Sequence, residues 1–393
     1  MIFVESPDVD TSKITDVRFI VPVQSSDSLH WVHNRISFYY VYNITSYKEY
    51  IYSYNHNDSN IYRELTFTNN DFIYNKKYTR QDNGIEAKAL MWICDKTISK
   101  FRINHLYKDL KLTYIHDCVP IMKLIEQCKA LKDDFIINYN NFKYFDTLAH
   151  YSRYVDSLAK IELAGLYTIN GNFEYSEYNP FTSTARPSNA YGGINYAALP
   201  DTESVRGKYV SRFGSSGRLI NVDMRAYHVN LINKLTGYEF PNDVSDVYDY
   251  LNTYYNSDDG KTETFRRLYG GIFDDEIPFF KHVRNLNNIL WQKYINNELY
   301  SILFKLHFPY NSDIKKNKIF NYIIQNFETE YNSTILYNLL ERLHKFESKL
   351  ILYTYDSFLF DVNEAEYSDV LNIISDVLNG EKYTLKVGMS YFK

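Results

Sequence analysis

Residues 182–230 read TSTARPSNAYGGINYAALPDTESVRGKYVSRFGSSGRLINVDMRAYHVN. A polar, Gly-rich segment runs into Leu219-Ile-Asn-Val222, whose composition predicts a short strand that delivers Asp223 at its end. From Thr182 to Lys234 there are seven cations (Arg186, Arg206, Lys208, Arg212, Arg218, Arg225, Lys234) against three acids (Asp201, Glu203, Asp223). That surplus fits a solvated face, and it also fits a local track for phosphates.

Two later stretches answer the first. In Lys261-Thr-Glu-Thr-Phe265-Arg-Arg-Leu-Tyr269-Gly270, a cation and two rings recur every four residues, so on a helix they share one face. Such a row can grip a nucleoside triphosphate, ammonium on phosphate and rings beside sugar and base. It is also what an amphipathic helix burying Phe265 and Tyr269 would show. In Leu350-Ile-Leu-Tyr-Thr-Tyr355-Asp356-Ser-Phe-Leu-Phe360, two apolar strands flank a turn that carries Asp356. One Asp from each of two neighbouring strands suits a hard divalent cation, which takes carboxylate oxygens and leaves its other positions to water and phosphate. An Asp in a hairpin turn is also ordinary turn chemistry.

Composition bounds the rest. A chain of 393 residues holds two or three domains. Forty Tyr, with abundant Asn, Ile and Lys, point to A/T-rich codon usage and so to a viral or A/T-rich microbial source. A net charge of −5 excludes a generally basic nucleic-acid coat. Cys94, Cys118 and Cys128 are too few and too scattered for a disulfide framework or a zinc site. No basic leader or 18-residue apolar run is visible, so neither signal peptide nor membrane span is expected, and the expected location is the cytoplasm, the host's if the source is a phage.

Along the chain, strands are expected at 16–23 and 36–42, with helices at 86–93 and 119–128. His30, His33, His56 and His116 are scattered and show no ligand spacing. Leu148, Tyr151, Val155, Leu158 and Ile161 form one helical stripe, closed by Gly165. Asn170-Gly171 then predicts a hairpin between 166–169 and 173–175. Further helices are expected from 226, 243 and 261, over 278 onward, over 318–346 and over 367–378. Strands are expected at 302–308, 350–355, 358–362 and 383–387, with a turn at 256–260.

Taken in order, the motifs resemble the polymerase half of the family A DNA polymerases, the bacterial DNA polymerase I and phage replicative group. Thr182-Ser-Thr184-Ala-Arg186-Pro-Ser188 resembles T-x-T-G-R-x-S, with Ala185 for Gly. Gly193-Ile-Asn195-Tyr-Ala-Ala-Leu-Pro200 resembles N-L-Q-N-I-P. Leu219–Asn230 resembles motif A, D-Y-S-Q-I-E-L-R. Lys261–Gly270 resembles motif B, K-x3-F-x3-Y-G. Asn321 and Gln325 resemble the N-x-P-M-Q helix, and Thr354–Val362 resembles motif C, V-H-D-E-x-x-F-E-V. The resemblance covers roughly residues 145–393.

It implies that Asp223 and Asp356, helped by the backbone at Met224, hold two Mg²⁺ ions. Lys261, Phe265 and Tyr269 take the incoming nucleotide, with His228 and Arg266 beside them. Arg186, Thr184, Asn195, Arg206, Asn321 and Gln325 face DNA, Arg186 testing pair shape in the minor groove at the primer end. The departures are specific. His228 stands where the family has a Glu that helps exclude ribonucleotides. Asn230 replaces an Arg, and Ser257 stands where a second triphosphate-binding Arg is usual. Tyr355 and Ser357 replace the His and Glu beside Asp356.

The expected fold class is α/β (α+β). It is a right-hand polymerase fold with an antiparallel-sheet palm (181–240 and 290–393), short helical fingers (about 241–289) and a reduced thumb (145–180). The polymerase domain is expected at 136–393, after a small N-terminal α/β domain at 1–135. That domain is read as a degenerate exonuclease-like one, since Asp58, Asp82, Glu86, Asp95 and Asp117 supply no D-x-E on a strand. The expected activity is template-directed DNA synthesis in replication, on primed DNA with dNTPs. A processivity factor or a separate exonuclease is the expected protein partner. The rivals are a primase-like polymerase using ribonucleotides, suggested by His228, and a catalytically impaired polymerase-shaped DNA-binding scaffold, suggested by Ser257.

Overall fold

β-Branched and aromatic runs build the N-terminal sheet, as their propensity predicts. The computed structural model describes residues 2–4, 16–24, 30–34, 36–53, 65, 67–94, 118–255, 257–274 and 276–392. His56, Asp58, Asp95, His116, Asp117 and Asn256 lie outside the described residues. The chain divides into two compact units, Met1–Leu163 and Ala164–Lys393. The helix over 145–164 falls almost wholly in the first unit.

In the first unit, β1 (Ile2–Val4), β2 (Arg18–Gln24), β3 (Ile36–Asn43), β4 (Lys48–Ser53), β5 (Asp71–Ile73) and β6 (Ile85–Glu86) form a mixed sheet in the order β1-β4-β3-β2-β5-β6. With it go α1 (Ala87–Cys94), α2 (Cys118–Asn141) and α3 (Phe145–Ala164). The predicted stripe of α3 is buried at Leu148, Tyr151, Val155, Leu158 and Ile161, and Gly165 follows with φ +65°. Among the described acids of this unit, Asp71 and Glu86 have structural partners. Asp71 receives Arg18 through Nε and Nη2 at 2.7 and 2.6 Å. Glu86 accepts the N–H groups of Asn75, Lys76 and Lys88 at 2.8–3.1 Å. The Asp82 carbonyl accepts Lys76 Nζ. His30 is buried and its Nδ1 accepts the Val32 N–H. Cys94 and Cys128 are free thiols, and burial pushes Cys128 up to about 12.

The second unit opens with the hairpin β7 (Leu166–Tyr167) and β8 (Phe173–Glu174), turned at Asn170-Gly171 with φ +81° at the glycine. A small sheet, β9 (Tyr178–Asn179), β10 (Ser188–Tyr191) and β11 (Ile194–Asn195), holds the 178–195 segment. A short helix α4 (Glu203–Arg206) follows. Then comes β12 (Gly217–Met224), which contains the predicted strand. The helices α5 (Tyr227–Thr236), α6 (Val247–Tyr255), α7 (Gly260–Gly270), α8 (Pro278–Ile295) and α9 (Lys316–Leu343) succeed it. The chain closes with β13 (Lys349–Thr354), β14 (Ser357–Asn363), α10 (Tyr367–Val377) and β15 (Tyr383–Gly388). The main sheet runs β13-β14-β12-β15, antiparallel throughout. Apolar residues of α5 to α9 pack into one core that includes Val229, Leu251, Leu268, Phe280 and Ile323.

Three expectations shift. The segment 302–308 is not a strand but an irregular loop with a single bridge, Tyr300 to His307. The buried Glu330 carboxylate takes the N–H groups of Leu303 and Phe304, and Ser301 Oγ takes that of Leu306, so side chains fill the ladder positions. The helix expected from Asp243 starts at Val247, because Asp246 Oδ1 accepts the N–H groups of Tyr248 and Asp249 as a cap. α9 starts and ends two to three residues earlier than its apolar spacing predicts.

One ion pair anchors the sheet to the loop before it. Asp361, in the middle of β14 and fully buried, accepts Arg212 Nε at 2.8 Å, the Arg212 N–H and Ser211 Oγ. Arg212 Nη2 also donates to the carbonyls of Ala164 and Gly165. Arg212→Leu strands the buried carboxylate, and such breaks cost about 3–5 kcal/mol. We expect a fall of that size in urea unfolding, and a change below ~1 kcal/mol would contradict the role.

Candidate active site

The register of two strands sets the two aspartates. In the β12–β14 ladder Asp223 pairs with Ser357, and the next residue, Met224, donates its N–H to the Asp356 carbonyl at 2.8 Å. Asp223 therefore ends one strand directly beside the turn that carries Asp356. That turn needs a left-handed residue, and Tyr355 supplies it at φ +65°. On the other side of Asp223 the chain leaves the sheet through Ala226, also left-handed at φ 43°, and enters α5. Asn230 Nδ2 donates to the Arg225 carbonyl and steadies this exit.

α9 fixes both features from behind. Asn332 is buried; its Oδ1 accepts Tyr227 Oη at 2.5 Å, and its Nδ2 donates to Tyr353 Oη and to the Tyr355 carbonyl at 3.0 and 2.7 Å. Asn326 Nδ2 donates to the Thr184 carbonyl at 3.1 Å and ties down the loop that carries Arg186.

A cavity of about 510 Å³ opens at these strand ends. Arg186, Asp223, Met224, His228, Lys261, Phe265, Tyr269, Gln325 and Asp356 all line it, so the structure brings most of the sequence-predicted residues together. Lys261, Phe265 and Tyr269 do share one face of α7, and the Phe265 and Tyr269 rings stack at 5.7 Å. His228 meets both rings edge-on, at 6.2 and 5.8 Å, and its Nδ1 contacts Tyr269 Oη. The Arg186 guanidinium lies 3.7 Å over the Tyr355 ring.

Other predicted residues lie off the cavity and have structural partners. Arg266 is tied to Glu263 on the exposed side of α7, as is Arg267. Arg206 donates to the Leu199 carbonyl, pairs with Asp201 at 3.3 Å and lies over Tyr391. Asn195 Oδ1 caps the turn at Ala197. Thr184 is buried, its Oγ1 accepting the Arg186 N–H. Asn321 reaches back to the Tyr269 carbonyl at 3.5 Å. These residues hold the frame.

The cavity also holds residues that sequence reasoning passed over: Arg225, Tyr248, Thr384 and Glu328. Tyr248 lies 6.0 Å from Lys261 Nζ and the same distance from the Phe265 ring. Glu328 is only 1% exposed, with carboxylate oxygens 3.0 Å from Arg186 Nε and 3.2 Å from His228 Nε2. A signal was present: Glu328 follows Gln325 by three residues, which puts the two on one face of the helix.

The electrostatics favour a cation here. Asp356 opens on the cavity, yet its carboxyl is pushed up to about 6, first by desolvation, then by Asp223 and by Glu328, with His228 acting the other way. Asp223 and Asp356 present carboxylate oxygens to the same cavity, the donor type that hard divalent cations take. Among the described residues no cluster of three or more His, Cys, Asp or Glu offers an alternative metal site.

No family model matches the chain, and no curated protein does. Among solved structures the chain is similar to the POL domain of Pol1 from M. smegmatis, solved in complex with DNA primer-template and dNTP. The TM-score is 0.70 at 10% sequence identity, over 100% of this chain and 99% of that one. The chain has the polymerase fold, with mixed α/β structure and antiparallel sheets. No helix among the described residues is long and apolar enough to cross a membrane.

The raised Asp356 predicts a pH signature. Its folded value lies above the unfolded value of about 3.9, so its ionisation costs stability as pH rises from about 4 to 6. In metal-free buffer, Asp356→Asn should melt above the wild type at pH 8 and level with it at pH 4. The gain stays below about 1 kcal/mol because the carboxylate opens on the cavity, where water screens its charge. A variant less stable than wild type at pH 8 would contradict this electrostatic account.

Proposed function

We propose that the chain is a template-directed DNA polymerase of the family A type, adding dNMPs to a primer 3′-hydroxyl. The observation that carries this reading is the meeting of Asp223 and Asp356 with the Lys261–Phe265–Tyr269 row around one cavity, within a polymerase fold. In this reading the β13-β14-β12-β15 sheet is the palm and the helices of about 241–289 are the fingers. Replication of a viral, phage-type genome suits the A/T-rich residue usage.

Asp223 and Asp356, with the backbone at Met224, would hold two Mg²⁺ ions, which when bound neutralise phosphate charge and ease ionisation of the attacking hydroxyl. The chain's own residues do the positioning. Lys261, exposed at the cavity, takes the triphosphate as a point charge. Phe265 and Tyr269 present ring faces beside sugar and base. Arg186, flat against Tyr355, is set to meet the primer-terminal pair. Gln325 lines the same cavity, on the helix that carries Glu328. Arg266 does not fill the place of the Arg missing at Ser257, since Glu263 holds it away.

Primer extension with Mg²⁺ and dNTPs tests the reading. Wild type should extend a primed template. Asp223→Asn and Asp356→Asn should each lose at least ~100-fold in rate, the scale of removing one preorganised charge-stabilising group. Extension that survives both substitutions would misplace the active site, and a folded, DNA-binding wild type that does not extend would support the scaffold alternative. Lys261→Ala should raise the dNTP KM about 10-fold or more while primer-template binding holds. A KM within twofold of wild type would remove Lys261 from the triphosphate site.

A further inference from the structure

We propose that Glu328 is a positioning residue that sets sugar selectivity through His228. The inference rests on the polymerase reading above. Its ground is a charge in an unusual place. Glu328 sits on α9 with 1% exposure, and a buried carboxylate persists only where cations face it. Two side chains approach it, from two different elements, and the Arg186 guanidinium supplies the cation. Arg186 Nε, from the loop between β9 and β10, stands 3.0 Å from Oε2, and His228 Nε2, from α5, stands 3.2 Å from Oε1. Both approaches have ion-pair distances, but Arg186 Nε, His228 Nε2 and Glu328 Oε2 lack aligned hydrogen bonds. The Arg186 charge faces the carboxylate, and the His228 ring lies within polar-contact distance of it.

The His228 ring is thereby caught at both nitrogens, by Glu328 at Nε2 and by Tyr269 Oη at Nδ1. A ring held at both ends cannot swing. It closes the cavity wall where it meets the edges of Phe265 and Tyr269. A nucleotide laid along α7, phosphates on Lys261 and base by Tyr269, puts its sugar at the middle of that row, against Phe265 and therefore against His228. A fixed ring there leaves no room for an additional hydroxyl on the sugar, whereas a ring released from Glu328 can turn aside. The same carboxylate reaches Arg186, and beyond it Tyr355, next to Asp356. One buried charge therefore sets both the sugar-facing wall and the side chain at the primer end.

The test is a double-mutant cycle on the ratio of dNTP to rNTP incorporation, read as kcat/KM in primer extension by the full chain. Glu328→Gln, close to isosteric and checked for folding by circular dichroism and melting, should lower the ratio at least 10-fold. His228→Ala should lower it too, and combining the two should lower it no further than His228→Ala alone, because Glu328 acts through that ring. Glu328→Asp should restore part of the ratio, since the charge is kept. An unchanged ratio in an active, folded Glu328→Gln overturns the inference, and so do effects that multiply in the double variant. Wild type that incorporates neither nucleotide overturns the polymerase reading, and this inference with it.

Discussion

A helix buried on most of its surface must find partners for every polar group it carries, and α9 carries many. Asn326, Glu328 and Asn332 are each almost fully enclosed. None can be left unmatched without a cost of about 1–3 kcal/mol, more where a charge is involved. Their partners are the Thr184 carbonyl, Arg186, His228, Tyr227, Tyr353 and the Tyr355 carbonyl. These groups belong to the segments that border the cavity. The need of one helix to satisfy its polar face thus fixes the loop before β10, the entry into α5 and the turn between β13 and β14. Apolar packing alone would leave those segments near their places without setting side-chain directions.

The sheet contributes a different constraint. β12 and β14 are buried along most of their length, and at the end of their ladder the buried pair Val222 and Phe358 gives way to Asp223 and Ser357, which are only partly buried. The acid pair lies at the point where the ladder stops and the backbone turns left-handed on both sides, at Tyr355 and Ala226. Non-glycine residues in that conformation are uncommon, and both sit immediately beside the cavity.

Much of this could be read from the residues. Short apolar runs announced β12, β13 and β14, and Asn170-Gly171 announced the hairpin. The four-residue spacing of Lys261, Phe265 and Tyr269 announced a shared helix face. All depend on local chemistry that a sequence displays. What stayed hidden depends on distant partners. Ile302–Phe308 looks like a strand, and only the Glu330 carboxylate, 22 residues further on than Phe308, makes it a loop. Arg206 and Arg266 read as free cations until Leu199, Asp201 and Glu263 take them up. Glu328 escaped because an acid on a helix looks like surface until the helix is known to be buried. The two-unit division at 163/164 likewise reflects what α3 packs against, and its own stripe does not reveal that.

The ladder that sets Asp223 opposite Ser357 also bears on how such a chain can change over time. A residue inserted or deleted within 217–223 would turn every following side chain of β12 to the opposite face, sending the acid into the core and Val222 into water. Segments between elements, such as 237–246 between α5 and α6, carry no such parity. Length variation among descendants of this chain should therefore gather between elements, while the spacing from Gly217 to Asp223 stays the same even where almost every residue in it is replaced.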